Sequence, residues 1–311
     1  MKAIQIHGFG GPEVLQYEET NRPEIKSNEV LVRVCASSVN PVDNKIRAGE
    51  GQAKFPAEFP LTMGWDLSGI VEETGQSVTK FKKGDEVFGR PYPGKNGAFA
   101  EFIAVKESEI AFKPDGITHE EAAAVPLTAL TAWQGLFDHG KLEAGQKVCI
   151  LGASGGVGLF AVQLAKWKGA SITGTSSGEN IEFVKSLGAE NAIDYTKEST
   201  NNMDSDFDLV FDTVGGEMQK KALRLIKKGG RLVTTVKPEV QQEAKEKNIT
   251  VESFTARSDN DILDKISALI EKKTLKIFIA AVFSLKHAPD AEKAGGEKHA
   301  PGKIVIHVSE P

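Results

Sequence analysis

The sequence is poor in cysteine and has no long apolar run. Only Cys35 and Cys149 occur among its 311 residues, and two cysteines exclude a disulfide framework and an all-cysteine zinc site. No apolar stretch approaches the roughly 20 residues that a membrane-spanning helix requires. The first residues also lack a signal-peptide core, so we expect a cytoplasmic protein with no membrane partner.

An excess of positive charge is also absent. The formal net charge is -5 at pH 7, which gives the chain no bulk electrostatic reason to bind nucleic acid. The composition, 40% hydrophobic and 26% charged, is that of an ordinary globular protein rather than a disordered chain. A length of 311 residues predicts about two domains.

Two kinds of pattern divide the chain. Over residues 1–122, short alternating segments separated by glycine turns predict β structure in a small barrel. From 123 to 257, strands and helices alternate, which predicts an α/β domain with a parallel, doubly wound sheet. The segment 303–308 alternates like a strand again, so we assign 258–311 to the first domain.

Local signals predict individual elements. Thr118 and Glu121 have the spacing of a capping box and predict a helix start. Residues 147–151 form an apolar run typical of a buried strand. Segments 181–187 and 218–227 each precede glycine and are predicted to be helices.

The strongest single signal is a glycine-rich turn, 152–158, between a predicted strand and a predicted helix. A pyrophosphate binds to free N–H groups and to the positive end of a helix at such a turn. A side chain at Gly155 would block its approach, and Gly158 lets the helix pack against the strand. We assign cofactor binding to Ser154, Gly155, Gly156 and Val157.

The turn departs from the usual pattern at Ala153, which stands where a dinucleotide-binding turn has a glycine. A tight turn without any ligand could carry the same glycines. The strand before the turn, the helix after it and the strand that follows favour nucleotide binding.

The end of the second strand points to NADPH. A site for NAD usually carries an acidic residue there, which binds the ribose 2′-hydroxyl. This chain has Ser176 and Ser177, and Glu179 comes later. Serine hydroxyls can donate to a 2′-phosphate, which a carboxylate would repel, so we predict NADPH as the cofactor. The two serines could also cap a helix, and the two roles are compatible.

Six stretches together resemble one family. They are 38–43, 64–69, 84–89, 126–133, 152–158 and 212–216. In this order they resemble the medium-chain dehydrogenase/reductase superfamily, in its quinone oxidoreductase and enone reductase branch. The resemblance implies a GroES-like β-barrel domain and a Rossmann domain, and many members are homodimers.

The resemblance also bears on zinc. Zinc-dependent relatives place a cysteine ligand where this chain has Asn40 and a histidine ligand where it has Trp65. Catalytic zinc needs about three protein ligands, and the six histidines are scattered along the sequence. We therefore expect no metal site, and we expect reduction of an electron-poor acceptor rather than oxidation of an alcohol.

Lys45 is the predicted catalytic residue. It resembles the lysine that enone reductases place beside the nicotinamide, and we expect it to stabilise the enolate oxygen, with Asp43 positioning it. The alternative is a solvated Lys45–Asp43 pair on a loop. Quinone reductases often have tyrosine at the position of Lys45, which favours an enone as substrate.

The resemblance implies further cofactor contacts. Asn40 is expected to bind the nicotinamide ribose, although it could simply form a turn before Pro41. The remaining contacts implied by the resemblance are Thr128, Tyr195, Val214, Gly302 and Lys303. For Thr128 the alternative is a buried hydroxyl bonded to its own helix, for Tyr195 it is packing, and for Lys303 it is an exposed lysine.

The predicted function is NADPH-dependent reduction of the C=C bond of an α,β-unsaturated carbonyl compound without zinc. One alternative is an NADPH:quinone reductase of broad specificity. Another is an NADPH-binding sensor or structural protein with little turnover, because fold alone does not fix function.

Overall fold

The computed structural model describes residues 1–93, 95, 97–197, 206–296 and 301–311. The chain divides into two compact units. Unit 1 is Met1–Leu127 with Arg257–Pro311, and unit 2 is Thr128–Ala256. The predicted boundaries, after 122 and 257, lie within a few residues of these. The assignment of the units to catalysis and to nucleotide binding stays a prediction.

The strands alternate with helices only in the second half of the chain. They are β1 (Lys2–Ile6), β2 (Gln16–Glu19), β3 (Glu29–Ser38), β4 (Leu61–Thr62), β5 (Leu67–Thr74), β6 (Glu86–Gly89), β7 (Phe102–Lys106), β8 (Ile110–Phe112), β9 (Lys147–Leu151), β10 (Ser171–Ser176), β11 (Asn191–Asp194), β12 (Phe207–Asp212), β13 (Ile226–Thr234), β14 (Thr250–Ser253), β15 (Ile279–Ser284) and β16 (Lys303–His307).

The helices are mostly short. They are α1 (Pro41–Arg47), α2 (His119–Ala123), α3 (Pro126–Trp133), α4 (Gly156–Lys168), α5 (Ile181–Leu187), α6 (Gly216–Ala222), α7 (Gln241–Glu246), α8 (Asn260–Glu271) and α9 (Ala288–Gly296), and a π-helical segment, Gln134–His139, continues α3. In the described part of the chain, no helix combines the length and the apolar character needed to cross a bilayer.

Unit 1 contains two sheets, which are antiparallel except where β15 pairs with β16 in parallel. Strands β2, β1 and β4 form a three-stranded sheet, and a seven-stranded sheet has the order β15-β16-β3-β5-β6-β8, with β7 also paired to β3. Strand β3 is central because its apolar residues are buried and it pairs with three strands, β5, β7 and β16. The register between β3 and β16 includes Val305↔Ser38. The predicted return of the C-terminal strand to the first domain is therefore observed.

Unit 2 is a parallel sheet in the order β11-β10-β9-β12-β13-β14. The chain runs from β9 to β10 on one side of β9, and β12 then pairs with the other side. Such a reversal of strand order leaves a crevice outside the carboxyl ends of β9 and β12, where ligands bind in open α/β sheets. The predicted fold class, α/β with a GroES-like domain and a Rossmann sheet, is confirmed.

Two predicted elements differ from the structure. The helix expected over 218–227 ends at Ala222, because Ile226 pairs with Phe207 and so begins β13. The second is α1, for which no helix was predicted, and the alternative that placed Lys45 and Asp43 on a loop does not hold because both lie on this helix. Its start resembles a turn because Pro41 occupies the first helical position, where a missing N–H is tolerated.

Candidate functional site

The glycine turn ends β9 and begins α4. Gly155 is the residue before the helix, and no side chain caps this end. The N–H of Gly155 is bonded to the carbonyl of Gly152 at 3.0 Å, and the helix then begins with Gly156 and Val157. The uncapped N–H groups of the first turn, at the positive end of a helix of 13 residues, suit a pyrophosphate.

The free space around Gly155 and Gly158 distinguishes the two roles predicted for them. A Cβ on Gly158 would lie 2.1 Å from the carbonyl oxygen of Gly152, so only glycine fits there. A Cβ on Gly155 would meet only that same oxygen, at 3.3 Å, and would otherwise point into open space. Gly158 therefore permits the close packing of helix on turn, and Gly155 leaves the surface of the turn open to a ligand.

The end of β12 lies beside this turn. A Cβ on Gly152 would be 2.8 Å from Thr213 Oγ1 and 3.0 Å from Val214 Cγ2. Asp212 is fully buried, and its Oδ1 accepts the N–H groups of Val214 and Gly215, both at 2.9 Å. These bonds hold Val214, which is 52% exposed, next to the glycine turn, as expected for a residue lining the nucleotide site.

Residues at the end of β10 also lie beside the glycine turn. Ser176 donates a hydrogen bond from Oγ to Ser154 Oγ at 2.7 Å, so two predicted cofactor residues are in contact. Ser177 precedes a short 3-10 turn, and its Oγ accepts a hydrogen bond from the side chain of Asn180 at 3.0 Å, but it makes no capping bond to a backbone N–H. Tyr195 is half exposed, and its N–H is bonded to the carbonyl of Ser176 at 3.2 Å.

Sequence reasoning missed a cation at this strand end. A Cβ on Gly178 would lie 2.3 Å from Asp194 Oδ2 and 3.5 Å from Lys197 Nζ. Asp194 Oδ1 accepts two hydrogen bonds from Thr196, which lower the pKa of this carboxyl and direct that oxygen away from a ligand. Lys197 is 79% exposed. Lys197 was difficult to identify from the sequence because it belongs to the next strand connection, about twenty residues further along the chain.

In unit 1, Asp43 determines the start of α1. Its Oδ2 accepts the N–H of Asn40 at 2.5 Å, while its Oδ1 is buried without a partner. Burial raises the pKa of Asp43 well above its usual range, and the charge of Glu292 raises it further. The alternative of a Lys45–Asp43 pair is not observed, because residues two apart on a helix point in different directions.

Lys45 lies on the exposed side of α1. Among the described residues, its ammonium group has no ion-pair partner within 4.0 Å. Asp43 can therefore influence Lys45 only by fixing the first turn of the helix that carries it. The exposed ammonium is available to a ligand.

The side chain of Asn40 lies in a buried polar cluster. Its Nδ2 donates to Asp66 Oδ2 at 2.7 Å, and its Oδ1 accepts from Lys303 Nζ at 2.5 Å. Asp66 also accepts from Ser38 Oγ at 2.7 Å and from the N–H of Leu127 at 2.7 Å. Asp66 thus orients Asn40, a role that sequence reasoning missed.

Lys303 is buried rather than exposed. Only 5% of the residue is accessible, and Nζ also donates to the carbonyl of Val39 at 2.7 Å. Burial lowers the pKa of Lys303, and the charges of Asp66 and Asp43 oppose this shift. Gly302 has φ of +128°, and a Cβ there would lie 2.7 Å from the carbonyl oxygen of Phe278, so it directs the chain into β16 at a point where no side chain fits.

The predicted residues therefore fall into two groups. Unit 1 brings Asn40, Asp43, Gly302 and Lys303 together around α1 and β16, with Lys45 on the outer side of α1. Unit 2 brings together residues at the ends of β9, β10 and β12. Those residues are Ser154, Gly155, Gly156, Val157, Ser176, Ser177, Tyr195 and Val214. Thr128 is the first residue of unit 2, in α3, and is 3% exposed.

The positions of the zinc ligands in zinc-dependent relatives carry no metal-binding group. The side chain of Asn40 is occupied by Asp66 and Lys303, and Trp65 is fully buried. Within the described ranges, no three His, Cys, Asp or Glu side chains form a group that could hold a metal ion.

Two family models match the sequence. The alcohol dehydrogenase GroES-like domain matches residues 26–115, and the zinc-binding dehydrogenase family matches residues 187–306. The first falls in unit 1, and the second spans parts of both units.

The chain is also similar to named proteins over nearly its full length. NAD(P)H oxidoreductase RTN4IP1, mitochondrial, of Danio rerio is 33% identical, covering 100% of this chain and 92% of the relative. NADPH-dependent alkenal/one oxidoreductase, chloroplastic, of Arabidopsis thaliana is 35% identical, covering 99% and 79%. The structure of the quinone oxidoreductase from Coxiella burnetii is 32% identical with a TM-score of 0.93, and covers 99% of both chains.

The predicted cytoplasmic location is wrong on this comparison. Two of the relatives named above are described as mitochondrial and chloroplastic. The prediction rested on the lack of a signal-peptide core and of an apolar run, and neither feature distinguishes the cytoplasm from an organelle.

Proposed function

Because the chain belongs to the zinc-independent quinone oxidoreductase branch of the medium-chain dehydrogenase/reductase superfamily, we propose that it reduces the C=C bond of α,β-unsaturated carbonyl compounds with NADPH. The chain is an oxidoreductase with a nicotinamide cofactor. When bound, the reduced nicotinamide supplies a hydride to the β-carbon of the acceptor. The π electrons move to the carbonyl oxygen, and solvent supplies a proton to the α-carbon.

The exposed, unpaired ammonium of Lys45 is the observation that carries this proposal. Negative charge develops on the carbonyl oxygen during hydride transfer, and a fixed cation beside that oxygen lowers the barrier. The bond between Asp43 and the N–H of Asn40 fixes the first turn of α1 and so limits where Lys45 can lie. We assign Lys45 to the enolate oxygen and Asp43 to positioning.

The buried cluster around Asn40 supports a cofactor contact in unit 1. Asp66 and Lys303 fix both ends of the Asn40 amide, so its orientation is set before a ligand arrives. Preorganised groups lose less conformational freedom on binding. We assign Asn40 and Lys303, with the adjoining Gly302, to the nicotinamide ribose.

NADPH is proposed over NADH because of the end of β10. The two serines there leave no carboxylate of that strand to repel a phosphate, and Lys197 supplies a cation nearby. The pyrophosphate is assigned to the first turn of α4. Thr128, Tyr195 and Val214 complete the proposed contacts to the nucleotide.

A quinone is the second candidate acceptor. The 32% identity to a quinone oxidoreductase over 99% of the chain favours it. A quinone also accepts a hydride and develops negative charge on oxygen, so the same site could serve. The homodimer remains a prediction, and it is compatible with β14, which stands at the edge of its sheet and offers unpaired backbone groups.

The experiment measures NADPH oxidation at 340 nm with an acyclic enone, an enal, an ortho-quinone and a para-quinone, and measures reduction of NADP+ with a simple alcohol. We expect turnover of the enone and the enal. Lys45→Met should lower kcat/KM for the enone about 100-fold. Lys286→Met, which removes another exposed lysine of unit 1, should leave kcat/KM unchanged.

Other outcomes would count against the proposal in different ways. Turnover of quinones alone would move the activity to the second candidate. Alcohol oxidation would contradict the argument against zinc-type chemistry. Full activity of Lys45→Met would remove Lys45 from the mechanism. NADPH binding without turnover of any acceptor would favour a sensor or structural protein.

A further inference from the structure

Arg90 is a buried cation that the proposed mechanism does not use. It follows β6 directly and precedes Pro91, which restricts its backbone to extended conformations. Its N–H donates to the carbonyl of Glu109 at 3.1 Å, and its own carbonyl accepts from Ser258 Oγ at 2.5 Å. The backbone from which the guanidinium extends is therefore held at three points.

The guanidinium has almost no partners. Arg90 is 3% exposed, and its Nε is buried without a hydrogen bond. Its side chain makes one long bond, from Nη1 to Ser258 Oγ at 3.4 Å. No carboxylate in the described part of the chain approaches Arg90 within 4.0 Å.

Each acidic group that acts on Arg90 holds another segment of the chain through at least one of its oxygens. Asp66, Glu109 and Asp43 contribute favourable charge to Arg90, but the oxygens of Asp66 accept from Leu127, Ser38 and Asn40. Asp43 uses Oδ2 for the N–H of Asn40. Glu109 Oε2 accepts the N–H of Lys106 at 3.2 Å. None of these bonded oxygens can turn to Arg90 without breaking a bond that holds its own segment.

A buried guanidinium without a bonded anion is unfavourable, and buried charges in proteins are usually paired. Its planar fork of donors matches a carboxylate or a phosphate. The cofactor phosphates are assigned to the glycine turn of unit 2, so the anion must come from the acceptor. Leu67 of β5 pairs with Gly89 of β6 in antiparallel register, so Arg90 stands opposite Asp66. Asp66 orients Asn40, and this places Arg90 near the proposed nicotinamide end.

We propose that Arg90 binds a carboxylate of the acceptor, and that the preferred substrates are α,β-unsaturated ketones that carry a carboxylate. This inference rests on the proposed function, because it names the substrate class of the same site. Arg90 determines specificity by orienting the acceptor, while Lys45 acts on the carbonyl oxygen. A neutral acceptor leaves Arg90 unpaired and is reduced less efficiently.

The experiment compares (E)-4-oxopent-2-enoate with its methyl ester, in which a methyl group replaces the negative charge of the carboxylate. We expect kcat/KM to be about 10- to 100-fold higher for the acid in the wild type. Arg90→Met should lower kcat/KM for the acid to that for the ester and leave the ester unchanged. Arg90→Lys, which keeps the charge but loses the planar fork, should be intermediate.

A second measurement does not depend on turnover. In the presence of NADP+, 4-oxopentanoate should raise the Tm of the wild type and not that of Arg90→Met, while its methyl ester should raise neither. Arg224→Met, at an exposed arginine of unit 2, should behave as the wild type in both assays.

Three results would overturn the assignment. One is equal kcat/KM for the acid and the ester in the wild type. Another is a rise in KM for NADPH with unchanged acceptor preference in Arg90→Met, which would assign Arg90 to the cofactor. The third is a Tm shift by 4-oxopentanoate that survives in Arg90→Met and Arg90→Lys. If no enone is reduced but the charge-dependent Tm shift is present, the proposed function fails and the carboxylate site remains.

Discussion

Lys197 is the single residue on which the choice of cofactor turns. Its Nζ lies near Gly178, beside the two serines at the end of β10, and forms an ion pair with Asp194 Oδ2 at 3.7 Å, while Asp194 Oδ1 is bonded to Thr196. A cation at this place stabilises a 2′-phosphate and has nothing to bind in NADH. We expect Lys197→Ala to raise KM for NADPH about five- to tenfold and to leave KM for NADH unchanged.

The matched control for this measurement is Lys185→Ala. Lys185 is an exposed lysine of the same unit, on α5, and its ion pair is with Glu182. It should leave both KM values unchanged. Similar KM values for NADH and NADPH in the wild type would contradict the NADPH proposal itself, and an equal rise in both for Lys197→Ala would contradict the role of Lys197.

For charged residues, the sequence did not predict which side chains are buried. The sequence identified Lys45 and Lys303 as candidates, yet one is exposed and the other is buried. Lys303 is buried because β16 returns to β3 and brings it to Asn40, which is 263 positions away in the chain. Arg90 directly follows the 84–89 stretch, but that stretch carried no indication that Arg90 is buried. Burial of a charge depends on long-range packing, and a single sequence contains no direct signal of that packing.

The element that most directly determines cofactor binding is the turn between β9 and α4. Gly158→Ala would place a Cβ 2.1 Å from a backbone oxygen, so the turn must shift. We expect this variant to lower the free energy of unfolding by about 1–3 kcal/mol. Gly155→Ala points into open space and should change it by less than about 0.5 kcal/mol.

The two variants should separate folding from binding. Gly155→Ala adds a methyl group where the pyrophosphate approaches, so we expect about a tenfold weaker Kd for NADPH in a well-folded protein. Chemical unfolding and NADPH fluorescence titration measure the two quantities. If Gly155→Ala binds NADPH as tightly as the wild type does, the assignment of the pyrophosphate to this turn is wrong.

Elements were predicted well where the local pattern agreed with tertiary packing. Strand β9 and helix α5 have the predicted bounds, 147–151 and 181–187, since each is apolar on the buried side and followed by glycine. The capping box of Thr118 and Glu121 is present at α2. In contrast, the predicted helix 218–227 continued too far because its last residues pair with β12, and pairing between distant segments overrides local helical spacing.

At the scale of the whole molecule, unit 1 contains several carboxyl groups whose pKa burial raises. They are Asp43, Asp66, Glu109 and Glu292. A carboxyl group with a raised pKa holds its proton in the folded state at a pH where the unfolded chain has released it. Its contribution to stability is therefore complete below the ordinary carboxyl pKa and is lost as pH rises through the raised value.

Asp43 offers the clearest test. Apart from its burial, its pKa is affected by four neighbouring groups, which are Glu292, Asn40, Lys303 and Asp66. Asp43→Asn keeps an acceptor for the N–H of Asn40 and removes the titration. We expect it to change the free energy of unfolding little near pH 4. The variant should become progressively more stable than the wild type as pH rises, by about 1.4 kcal/mol for each unit by which the pKa of Asp43 is raised.

Urea unfolding at half-unit steps from pH 4 to pH 9 measures this difference. Glu24→Gln removes an exposed carboxyl group of the same unit and should give a difference that does not change with pH. If the difference between Asp43→Asn and the wild type is equally flat, Asp43 is ionised in the folded state over the whole range. Lys303 would then have to neutralise Asp43 as well as Asp66. The folded unit would also contain a buried, ionised carboxylate whose Oδ1 accepts no hydrogen bond.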